Sequence, residues 1–174
     1  FGAVVGAAFG LPRFDPKAAF PRPTGANLFA LAWHQDAFIA VGSNGDILRL
    51  SSGDPAQAAV SASFGGVNFV GVASDGALCV AASLLGEVYT SADGRSWRQA
   101  ASVPEAQLAG IVAGHLGFVA FGTNGSVLVS DDGQEWRLRA TGYAETFRAG
   151  CIAGGYYVLV GERGICVRSR DLVT

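Results

Sequence analysis

The chain has 174 residues and a mass of 17.8 kDa, enough for one domain that buries about 70% of the surface its unfolded form exposes. Hydrophobic residues make up 50% and charged residues 15%, which excludes a disordered tail and points to a packed globular unit. A net charge of −2, with Lys+Arg 12 against Asp+Glu 14, leaves no cationic excess to neutralise phosphates, so no nucleic-acid partner is expected.

The chain opens on an apolar stretch, Phe1 to Leu11. It is about half the ~20 residues a membrane helix needs, and it lacks the basic start of a signal peptide. It reads as a strand, and no membrane insertion is expected. The absence of methionine suggests a processed chain or part of a longer product. Pro12, Pro16, Pro21 and Pro23 then mark an extended arm. Residues 1–26 are accordingly read as an N-terminal strand and arm, and 27–174 as the main domain.

From Asn27 onward the sequence repeats. Ala37 to Leu50, Gly117 to Ser130 and Gly155 to Ser169 follow one pattern: an apolar run, a glycine-containing bend, then a second apolar run. A weaker copy runs from Ala77 to Ser91. The turn glycines Gly45, Gly86, Gly125 and Gly164 are spaced 41, 39 and 39 residues apart. Asn44-Gly45 and Asn124-Gly125 suit a type I′ hairpin, which needs positive φ at both central residues. An apolar strand precedes each hairpin, as in Leu108 to Val112, and a fourth strand follows, as in Trp136 to Ala140. Four strands in about 40 residues is the pattern of a propeller blade, a unit that buries both faces only by stacking on its neighbours.

The expected fold is therefore all-β, a small β-propeller of about four four-stranded blades with 39–41-residue repeats. The blades span about 27–66, 67–105, 106–144 and 145–174, beginning near Leu28, Phe69, Leu108 and Phe147. The last unit stops before its fourth strand. Phe1 to Phe9 is expected to supply it and close the ring; the alternative is an open arc that partners complete.

A second signature lies between the third and fourth strands. Ser91-Ala92-Asp93-Gly94-Arg95-Ser96-Trp97 and Ser130-Asp131-Asp132-Gly133-Gln134-Glu135-Trp136 are 39 residues apart, and Ser169-Arg170-Asp171 follows at the same spacing. The first unit carries only a degraded form, Ser51 to Asp54. The motif resembles the Asp-box (BNR-like, sialidase-type) repeat of β-propellers, over Asn27 to the end. The physical reading is structural: Asp93 and Asp132 accept backbone N–H groups, Gly94 and Gly133 take a left-handed φ, and Trp97 and Trp136 pack between blades with the indole N–H partnered.

The resemblance to sialidase-like propellers raises glycoside hydrolysis. That chemistry needs an arginine cluster, a tyrosine with a glutamate, and an acid. The arginines avoid the inner strands except at Arg148, adjacent Tyr156 and Tyr157 must point to opposite faces, and no carboxylate pair is placed as a glycosidase requires. No catalytic residue is assigned. His34, His115 and Asp75 fall in related turns, but they read as turn residues and not as metal ligands, and no cofactor is expected. Cys79, Cys151 and Cys166 show no metal spacing. An intervening strand keeps Cys151 and Cys166 apart, so all three read as buried, reduced thiols.

Non-catalytic binding or assembly remains, through protein partners or a homo-oligomer. It suits a subunit of a larger complex such as a phage-like particle appendage. A glycan-binding, lectin-like propeller is the alternative. Candidate contact residues are Trp33, His34, Gln35, His115, Tyr143 and Arg163, the aromatic, amide and arginine side chains expected on rim loops.

Overall fold

The computed structural model describes residues 23–51 and 58–171. The expected strand at Phe1 to Phe9, the degraded corner residues Ser52 to Asp54 and residue Leu172 lie outside the described residues.

The described chain is all-β. The first sheet holds β1 (Leu28–His34), β2 (Ala37–Gly42), β3 (Asp46–Ser51) and β4 (Ala59–Ser63). The second holds β5 (Phe69–Ser74), β6 (Cys79–Ser83), β7 (Glu87–Ser91) and β8 (Arg98–Ser102). The third holds β9 (Leu108–Gly114), β10 (Gly117–Gly122), β11 (Ser126–Ser130) and β12 (Arg137–Ala140). The fourth has three described strands, β13 (Phe147–Ala153), β14 (Tyr156–Gly161) and β15 (Cys166–Ser169). Every sheet is an antiparallel meander in chain order.

The sheets stack in sequence order through their first strands: β1 beside β5, β5 beside β9, and β9 beside β13. Three cores fill the three seams. Ile39, Val41 and Ile47 meet Phe69, Val72 and Tyr89 in the first. Val80, Ala82 and Val88 meet Leu108, Phe118 and Leu128 in the second. Val119, Phe121 and Val129 meet Phe147, Tyr157 and Leu159 in the third. A strand covered on both sides needs apolar residues at every position, and β10 (Gly-Phe-Val-Ala-Phe-Gly) is buried throughout. Strands β1 and β13 instead alternate, with one face outward. Strands β1 and β13 do not pack on each other as successive first strands do, so the described sheets form an open series.

One backbone contact recurs where each second strand ends. Ser43, Leu84, Thr123 and Glu162 each donate their N–H to the carbonyl of Asn27, Asn68, Gln107 or Thr146, just ahead of the first strand. This contact takes in an extra residue at the bend. The loop therefore has three residues in the first and third sheets, Ser43 to Gly45 and Thr123 to Gly125, rather than a bare Asn-Gly pair. The positive φ expected at Asn44, Gly45, Asn124 and Gly125 is present at all four.

Candidate interaction site

The Ser-x-Asp-Gly corners are self-contained. Asp93 Oδ1 accepts the N–H groups of Arg95 at 2.8 Å and Ser96 at 2.7 Å, and the Ser91 hydroxyl at 3.0 Å. Asp132 Oδ1 accepts those of Gln134 at 2.8 Å and Glu135 at 3.0 Å, with Ser130 Oγ at 3.2 Å. Those backbone donors hold both carboxyls below the usual carboxylate range. Gly94 and Gly133 have φ of +65° and +71°, and a Cβ at Gly133 would strike Leu78 of the preceding sheet. Trp97 packs on the first seam and Trp136 on the second. Trp136 Nε1 donates to the Gly133 carbonyl at 3.2 Å. Trp97 departs from expectation: its indole nitrogen is buried without a partner among the described residues. In the fourth sheet only Ser169 and Asp171 of the corner are described, with Ser169 Oγ donating to Asp171 at 3.2 Å.

The six candidate contact residues separate. Trp33 is 49% exposed on the outward face of β1, edge-on to Phe38 with centroids 4.8 Å apart. His34 is not available to a partner. It is 2% exposed and bridges two sheets, with Nδ1 2.8 Å from Ser74 Oγ and Nε2 3.1 Å from the Ala92 carbonyl. Strand alternation explains the reversal, since neighbours on β1 face opposite ways. Gln35, at φ +54°, donates to the same Ala92 carbonyl at 2.8 Å. His115 is exposed and stacks on Tyr157 at 6.0 Å. Tyr143 is 47% exposed and lies edge-on to Phe147, while Arg163, at φ +52°, sits 3.8 Å from Glu145.

Tyr156 and Tyr157 do face opposite ways. Tyr157 is buried, its hydroxyl accepting Leu116 N–H at 2.9 Å and donating to the Gly117 carbonyl at 3.2 Å. Tyr156 lies under the guanidinium groups of Arg168 and Arg170. Cys79 is buried, and burial pushes its thiol up to about 12. Cys151 and Cys166 are exposed and unbonded, contrary to the buried reading, because they lie on the outward face of the fourth sheet with β14 between them. Among the described residues, no three His, Cys, Asp or Glu side chains gather as a metal ion would require, and no helix is long and apolar enough to cross a membrane.

Two features emerge that the sequence reading passed over. The first is an apolar outward face on the first sheet: Phe29 and Leu31, each 59% exposed, with Trp33 and Phe38. Its signal was present, because Phe29, Leu31 and Trp33 alternate with Ala30 and Ala32. The second is a cleft of about 360 Å³ between the third and fourth sheets, walled by Val119, Val129, Tyr157 and Val167 and edged by Arg139 and Arg168.

No protein-family model matches this chain, and no curated protein does. Solved structures do. YCF48 bound to D1 peptide aligns at a TM-score of 0.64 and 18% identity, over 80% of this chain and 50% of that one. The computationally designed Ika4 protein aligns at 0.68 and 13%, over 85% and 93% respectively. The nidogen/laminin complex aligns at 0.64 and 16%, over 82% and 60%. Likeness at this identity shows the fold, and the fold is that of a β-propeller. The chain spans half the length of the YCF48 chain it matches.

Proposed function

We propose that this chain is a non-catalytic propeller module for binding other proteins, a subunit of a larger assembly. In this reading its four sheets are four blades, and the Ser91–Trp97 and Ser130–Trp136 corners are Asp boxes that fasten them. The observation that carries the reading is the apolar face of Phe29, Leu31, Trp33 and Phe38. Large aromatic and aliphatic side chains aligned along one strand and its partner are what protein interfaces use as anchors. The corner carboxylates support it as well, since Asp93 and Asp132 are committed to backbone donors within their own turns. Two structural neighbours were solved with a peptide or a protein partner, YCF48 with D1 peptide and nidogen with laminin.

The test is solution mass by light scattering across a concentration series, on the full chain and on the double variant Leu31→Glu, Phe38→Glu. The expected result is association of the parent chain that the variant loses while keeping its β-sheet circular dichroism. A parent chain that stays monomeric at every concentration, or a variant that associates equally well, overturns the role of this face.

A further inference from the structure

The cleft between the third and fourth sheets has counterparts in the other seams, and there it is filled. In the second seam, β12 pairs with β11, and Trp136 at its head packs beside Phe118 with centroids 6.5 Å apart. In the first seam, β8 pairs with β7 and Trp97 packs on the core formed with the first sheet. In the third seam, among the described residues, β15 has no strand on its outer edge. The space beside it is the cleft of about 360 Å³, with Val127, Val129 and Ala140 on one wall and Tyr157, Leu159 and Val167 on the other.

From this geometry we propose that the cleft is a docking slot for an extended segment of a partner protein, one that pairs antiparallel with β15 and seats an aromatic side chain. Main-chain pairing at an open sheet edge supplies affinity, and alternate side chains entering a pocket supply selectivity. The slot also selects charge. Its lining holds Arg139 and Arg168 and no acidic residue, and the buried Arg139 Nε has no partner among the described residues. A buried guanidinium nitrogen of that kind calls for an acceptor. The occupant is therefore an aromatic segment with acidic residues. The chain's own Phe1 to Phe9 is apolar and carries no acid to meet either arginine.

The proposal rests on the protein-binding reading but concerns the opposite end of the sheet series, so a separate experiment decides it. Three labelled peptides are titrated into the full chain by fluorescence anisotropy. The first has the sequence of residues 133–140, the chain's own tryptophan-led strand. The second has both its arginines replaced by glutamate. The third is the second with its tryptophan replaced by alanine. Expected is tightest binding of the second peptide, weakened about tenfold or more in the first and the third. Hydrogen exchange should slow at Cys166 to Ser169, and Arg139→Gln should abolish the preference for glutamate. Failure of the acidic peptide to bind overturns the proposal. So does binding that leaves exchange in β15 unchanged, which places the peptide elsewhere. Slow exchange in β15 before any peptide is added also overturns it, because the slot is then filled by the chain itself or by a second copy.

Discussion

Asp132 acts through four bonds, and none of them leaves its own corner. Gln134 and Glu135 donate backbone N–H groups to its carboxylate, Ser130 donates its hydroxyl, and Gly133 N–H returns to Ser130 Oγ at 2.8 Å. Replacing Asp132 by alanine strips the acceptor from two turn amides and should cost about 1–2 kcal/mol of stability at neutral pH. Its folded-state pKa lies below the ordinary value, so the carboxylate stabilises the fold fully above about pH 4 and progressively less as pH falls through the folded value. Urea melts of parent and Asp132→Ala should differ most at neutral pH and converge in acid. A gap that is constant with pH would show that the charge is not what the corner uses. This corner was legible in the sequence because all its partners lie within five residues. His34 was not, because Ser74 and Ala92 lie 40 and 58 residues away and the side of β1 that a residue faces depends on the whole stack.

At the scale of elements, the alternation of apolar runs with glycine bends located the antiparallel hairpins, since hairpin pairing is local and turn chemistry is specific. The extra loop residue was hidden, because it comes from the Ser43–Asn27 and Thr123–Gln107 backbone bonds between distant segments. Gly125 joins both kinds of constraint. Its φ is +65°, its N–H donates to the Glu145 carbonyl at 2.8 Å, and a Cβ there would overlap the Tyr143 carbonyl oxygen. Gly125→Ala should therefore destabilise by about 1–3 kcal/mol through strain and displacement of the segment that leads into β13. The control is Gly142→Ala, also at positive φ (+75°) but with open space around a new Cβ. Thermal melts should show the larger loss at Gly125, and equal losses would mean that φ alone sets the cost. The same element logic explains the cysteines. A strand at the end of the stack has an outward face, so Cys151 and Cys166 are exposed where the equivalent positions of inner sheets are covered.

For the whole molecule, the stacking order sets where stability resides. Each sheet buries its faces only against its neighbours, so the two inner sheets are supported from both sides and the two end sheets from one. Repetition in the sequence revealed that the units stack. It did not reveal whether the series closes, because the residues of an end face are the same apolar types as those of a seam: Val158 and Val160 in β14 stand where Val119 and Phe121 stand in β10. Burial separates them, since Phe121 is 3% exposed and Val160 is 41% exposed. Local opening should follow this gradient. Native-state hydrogen exchange should be slowest in β6, β7, β10 and β11 and faster in β2 and β14, although all six are central strands of their sheets. Raising the protein concentration separates an isolated arc from an assembling one. If end faces meet between copies, protection in β2 and β14 rises toward that of β6 and β10, while the inner strands do not change. Uniform protection in dilute solution would mean that the ends are already covered within one chain. The apolar face of β1 and β2 would then be part of a closed ring and not a surface held open for a partner.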